Sequence, residues 1–213
     1  MNYISIFISG VLIGIPLCFT LGPVFFALLQ NSISNGFKSA FFIATGVILA
    51  DVILFIAAYT GTNLFINDGT SDATSVKFWV EVSGGVVLIL MGIFTIRKHV
   101  VESDQKKFFN NPVMYLARGF ALNFLNPANF FAWVVVTSNF NHVYTDVSLR
   151  ATFYTAALAS VYVTELVIAY FAARIRKILN DRLMRIISIV NGLIFIGCGI
   201  LLFTIAFGIT ASK

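Results

Sequence analysis

The feature that most constrains this chain is the absence of charge over long stretches. No Asp, Glu, Lys or Arg occurs from Asn2 to Phe37, from Gly119 to Thr145, or from Ile186 to Ser212. A helix needs about 20 apolar residues to cross the hydrocarbon of a bilayer, so each run is long enough to hold a span. Charged residues make up 11% of the 213 and hydrophobic ones 59%, against roughly 25% charged in soluble domains. The sequence predicts an all-α integral membrane bundle of six transmembrane helices, at about 4–30, 36–62, 78–96, 113–137, 150–173 and 184–208. The N-terminus has no basic region or small-residue cleavage site before its apolar run, so it reads as a retained helix.

Orientation follows from the basic residues. Arg97, Lys98, Lys106, Lys107 and Arg118 fall between spans three and four; Arg174, Arg176, Lys177, Arg182 and Arg185 fall between five and six. With Lys38 they make eleven of the fourteen on one side, leaving Lys77, Arg150 and Lys213 on the other. The positive-inside rule then puts both termini outside the cytoplasm. The net charge of +5 therefore reflects topology and does not argue for a nucleic-acid partner. Trp79 and Trp133 are expected as interfacial anchors near the outer ends of spans three and four.

The first and fourth spans are both interrupted. Pro16 and Gly22–Pro23 stand in the first, and Asn126–Pro127 stands in the fourth; an internal proline costs roughly 3 kcal/mol in an ordinary helix. "LGPVFF" and "LNPANFF" align with an offset of 104, "KSAF" and "RATF" with 112, "GVVLILMG" and "GLIFIGCG" with 107. These matches link spans one and four, two and five, three and six. Because each half has an odd number of spans, the halves enter the membrane in opposite directions, an inverted repeat of the kind found in secondary transporters. The expected organisation is a single transmembrane domain, 1–213, with one three-helix repeat at 1–96, a cytoplasmic linker at 97–112 and a second repeat at 113–213. Chance similarity between apolar helices is the competing explanation.

Opened backbone is tolerated in hydrocarbon only where it faces protein or a cavity. Half-helix N-termini there can hold carboxylates and freed carbonyls can hold cations. Gly22, Pro23, Asn123, Asn126, Pro127 and Asn129 are accordingly the expected substrate-binding residues, simple kinks and interhelical hydrogen bonds being the alternatives. Asn126 and Asn129 would share a face of an unbroken helix, and Gln30 and Asn31 add amides at the end of span one. Asp51 is the one charged residue between Lys38 and Asp68, and an aspartate in mid-span costs about 2.5–3.5 kcal/mol on the insertion scale. It is the expected proton-coupling group, with Glu165 at the comparable place in span five as a second. Glu165 could instead pair with Arg174 or snorkel. Gly10 and Gly14 permit close helix approach, Tyr162 reads as packing, and His99 and His142 form no metal cluster. No phosphate loop or nucleophile–base signature appears, so neither an enzyme, a metal site nor a cofactor is expected.

Gly22–Pro23, the Gly46…Asp51 pattern and Asn126–Pro127 with its following phenylalanines resemble the LysE/RhtB amino-acid exporters, over the whole chain. That resemblance implies a bacterial inner-membrane secondary transporter exporting amino acids or their derivatives, driven by protons. Two positions depart from the family pattern: Leu21 stands where the first proline of Pro-Gly-Pro is usual, and Ala128 where the lysine of Asn-Pro-Lys is usual. A thiol electron shuttle of the DsbD/CcdA kind is the alternative, through Cys18 and Cys198, as is ion or metal efflux within the same superfamily. Glycine-rich faces would suit a homodimer.

Overall fold

The computed structural model describes residues 2–19, 22–65, 71–97, 111–144, 146–175 and 181–208. These form eight helices and no strand: α1 (Tyr3–Phe19), α2 (Gly22–Asn35), α3 (Phe37–Phe65), α4 (Ser71–Arg97), α5 (Pro112–Phe124), α6 (Pro127–Val143), α7 (Val147–Ile175) and α8 (Asp181–Ala206). Helices α3, α4, α7 and α8 are each long and apolar enough to cross a membrane, and α5 with α6 makes a fifth crossing bent by 64° at the break. The α1 helix is apolar but shorter.

Each of the expected spans 4–30 and 113–137 is thus two helices. Pro16 does not end α1, which runs on through it to Phe19. Thr20 and Leu21, between α1 and α2, lie outside the described residues, as do the side chains of Gly22 and Pro23. The second break is fully visible. Pro127 sits in the first turn of α6, where its missing N–H removes nothing, and the preceding Asn126 is extended, at φ −86° and ψ 103°. Proline disfavours helical geometry in the residue before it, so α5 stops and α6 begins.

Packing is by close backbone approach. Against α3, a Cβ on Gly119 of α5 would collide with the Ile43 carbonyl, and one on Gly46 of α3 with the Leu116 carbonyl. Gly10 and Gly14 of α1 lie in the same way against the Phe153 and Ala157 carbonyls of α7. Between α4 and α8, Gly85 faces Gly199 and Gly92 faces Gly192. In a bilayer, where apolar burial drives little, such small-residue contacts carry helix association. The outer surface is apolar, with Trp79, Phe94, Leu193 and Leu201 among the exposed side chains.

Contacts at the helix ends fix their directions. At one end Tyr3 bonds Ser148 (3.0 Å) and Asn141 bonds Asn63 (3.2 Å), while Phe78 meets Phe207 edge-on at 5.5 Å. At the opposite end Phe37 meets Tyr170 at 5.9 Å, and the Ser32 hydroxyl donates to the Ala169 carbonyl. The site described next lies between these ends, where α3, α6 and α7 are adjacent.

Candidate functional site

Asp51 projects from the middle of α3 and is 1% exposed. Its Oδ1 accepts two hydrogen bonds from α6, one from Asn129 Nδ2 (2.7 Å) and one from Trp133 Nε1 (3.0 Å). Among the described residues its Oδ2 has no hydrogen-bond partner. Asn129 is the third residue of α6, so the carboxylate sits beside the first turn of a helix, the end that carries positive partial charge.

The same Asn129 amide donates to Asn123 Oδ1 (3.0 Å), and Asn123 Nδ2 donates to the Val47 carbonyl one turn below Asp51 (3.0 Å). The α5–α6 break therefore does specific work. It lets Asn123 at the end of α5 and Asn129 at the start of α6 converge on one turn of α3. Asn126 does not share a helix face with Asn129 as expected. It caps α6, its Oδ1 accepting from Ala128 N (3.2 Å), so one of the donors opened by the break is already satisfied. Its Nδ2 is buried and has no hydrogen-bond partner among the described residues, while Pro127 is exposed.

Glu165 on α7 is fully buried, and among the described residues neither carboxyl oxygen has a hydrogen-bond partner. It does not snorkel, and the side chain of Arg174 lies outside the described residues. Glu165 and Asp51 are close enough to interact electrostatically, and the thiol of Cys18 on α1 lies within range of both. Asn31 stands away from the break, in the body of α2, and donates to the Ala27 carbonyl of its own helix (2.8 Å). Tyr162 packs as expected, with its hydroxyl 3.0 Å from that of Thr45. Cys198 is exposed on α8 while Cys18 is buried on α1, and both are free thiols. His99 and the side chain of His142 lie outside the described residues, among which no cluster could hold a metal.

Trp133 corrects an expectation. It is 1% exposed and bonded to Asp51, not an anchor in the interface, whereas Trp79 is 66% exposed. The signal was present in the sequence: Trp133 is four residues from Asn129 and so shares its helix face. Phe55, one turn above Asp51 on α3, covers this site, with its ring centroid 5.5 Å from that of Trp133.

The profile of the LysE type translocators matches residues 15–205. The chain belongs to that family. Its members are multi-pass membrane transporters, in keeping with the apolar helices found here. "Putative amino acid efflux protein YcgF" from Bacillus subtilis (strain 168) is 24% identical over 187 residues, covering 85% of this chain and 87% of the relative. No solved structure matches. The family's usual lysine after Asn-Pro has no room in this translocator. Ala128 is 2% exposed and packed with Leu88, Phe195 and Leu202, so an ammonium there would be buried among apolar side chains.

Proposed function

We propose that this translocator exports amino acids or amino-acid derivatives across the bacterial inner (cytoplasmic) membrane in exchange for protons. The substrate class rests on the family and on the printed name of the Bacillus subtilis relative. The observation that carries the mechanism is the buried Asp51 carboxylate, with one oxygen bonded to the start of α6 and the other without a partner among the described residues, within electrostatic reach of the equally buried Glu165.

Two carboxyl groups share a dry site only if a proton or a cation compensates their charge. A proton and the ammonium of an amino acid are therefore competitors for the same oxygens. Protonation from outside releases the substrate; deprotonation toward the cytoplasm restores the carboxylate that draws in the next one. This competition is itself the coupling. The substrate's carboxylate has its counterpart in the Asn126 Nδ2 donor and the positive end of α6, with Asn123, Asn129, Pro127, Gly22 and Pro23 completing the walls.

The same reading takes α1–α2 and α5–α6 as the broken first and fourth of six spans. The repeats are 1–96 and 113–213, inverted about a cytoplasmic linker at 97–112, with both termini outside. It is supported by the reciprocal glycine contacts, Gly85 with Gly199 and Gly92 with Gly192, in which the repeat offset of 107 relates Gly85 to Gly192 and Gly92 to Gly199. The parallel seams of α1 on α7 and α5 on α3 support it too. A homodimer belongs to the same proposal, although the glycine faces expected to serve it pack within the chain, as Gly85 does against Gly199 and Gly92 against Gly192. The test is release of amino acids from cells loaded with dipeptides. Expression should accelerate release of a subset of amino acids, and a protonophore should slow it; release indifferent to both would reject the reading.

A further inference from the structure

A second polar cluster lies on the α3 face above Asp51, toward the end that carries Tyr3 and Ser148. Tyr59 is eight residues beyond Asp51, about 12 Å along the helix axis. Its hydroxyl accepts from Arg150 Nη1 of α7 at 3.2 Å. Its ring meets that of Tyr154 edge-on at 5.9 Å, and Tyr154 in turn lies 4.7 Å from Phe55. The Tyr154 hydroxyl donates to Asn141 Oδ1 on α6 (2.6 Å), and Asn141 Nδ2 donates to Asn63 Oδ1 on α3 (3.2 Å). Three helices are thus latched by side-chain hydrogen bonds over an aromatic layer, Phe55, Trp133 and Tyr154, that roofs the Asp51 site.

Arg150 is half-buried in the first turn of α7 and lies within electrostatic reach of Tyr154 and of Asp146. The Asp146 carboxylate is exposed and takes both the backbone N–H and the hydroxyl of Ser148 on one oxygen. One of the bonds of Arg150, that from Nη1 across to α3, goes to a neutral phenol. A guanidinium bonds a carboxylate through two parallel N–H groups and about twice as strongly as a neutral acceptor. An arriving carboxylate can therefore displace Tyr59, and doing so unlatches α7 from α3.

We propose that Arg150, Tyr59, Tyr154 and Asn141 form the outer gate of the transport pathway, and that Arg150 is the docking point there for the carboxylate of the departing amino acid. The proposal rests on the exporter reading and on its orientation, but the test need not use transport. Cys198→Ala leaves Cys18, buried on α1 within electrostatic reach of Asp51 and Glu165, as the single thiol. Its modification by membrane-impermeant methanethiosulfonates reports access past the gate, and two reagents, one bearing a sulfonate and one a trimethylammonium, report its charge preference.

In intact cells, adding Tyr59→Phe and Tyr154→Phe should speed modification about tenfold or more. With Tyr154→Phe alone, Arg150→Gln should lower the ratio of anionic to cationic rates about tenfold, the lower range of electrostatic focusing in a charged cleft, and Arg150→Lys should preserve it. A ratio indifferent to Arg150→Gln, or acceleration seen only from the cytoplasmic face in everted vesicles, would overturn the proposal. A ratio that falls in a protein that exports no amino acid would uphold an anion-selecting gate while rejecting the exporter reading.

Discussion

At the scale of single residues, the decisive atom is the unbonded Oδ2 of Asp51. Asp51→Asn retains an acceptor oxygen for Asn129 and Trp133, so the variant should reach the membrane in normal amounts yet fail in proton-driven export. Trp133→Phe keeps the ring against Phe55 but removes one donor to Asp51. Loss of a buried hydrogen bond costs about 1–3 kcal/mol, which should appear as lowered thermal stability of the purified protein in detergent.

Asp146 behaves differently. The Ser148 hydroxyl and backbone N–H hold its carboxyl below the ordinary carboxylate range. A depressed folded value means that this cap contributes at pH above the unfolded value, about 3.9, and is lost as pH falls through the folded one. Asp146 therefore stays ionised through the window of about pH 5 to 8 in which histidines titrate. Asp146→Asn should leave the pH profile of export unchanged, as a comparison of efflux rates against wild type would check.

At the scale of helices, the breaks and the glycine seams divide the labour. Asn126→Ala removes the cap of α6, worth about 1 kcal/mol, and loosens the turn that aims Asn129 at Asp51; reduced thermal stability and slower export should accompany each other. Gly46→Leu should be far more damaging, because the Leu116 carbonyl occupies the space its side chain needs. The expected result is loss of folded protein from the membrane fraction, measurable by blotting. Gly36, at φ 82° between α2 and α3, has open space around it. Gly36→Ala is strained by its backbone alone and should be much milder.

Much of this level was legible in advance. Proline after Asn126 could be read as a break because proline acts through its own ring and its immediate neighbour. Pro16 could not be read the same way, since whether a helix continues through a proline depends on what its neighbours supply to the freed backbone. Trp133 was misjudged for a related reason. Distance along a span gives depth in the membrane, but the face a side chain takes is set by its helical spacing from other residues, here the four from Asn129 to Trp133.

At the scale of the whole molecule, the uncharged runs were enough to announce a helical membrane protein, and the isolation of Asp51 was enough to single it out. The Arg150–Tyr59–Tyr154–Asn141 latch was not visible, because its members come from three helices and none is unusual where it stands in the sequence. Transport by this translocator turns on competition between proton and substrate at Asp51. The most direct measurement compares two activities of purified protein in proteoliposomes, using an amino acid released in the dipeptide assay: uptake or release driven by an imposed pH gradient, and exchange of labelled for unlabelled substrate without one. Wild type should perform both, and Asp51→Asn, fixed in the uncharged form that releases substrate, should lose gradient-driven movement and weaken exchange as well. Gradient-driven movement undiminished in Asp51→Asn would mean that proton and substrate do not compete at Asp51.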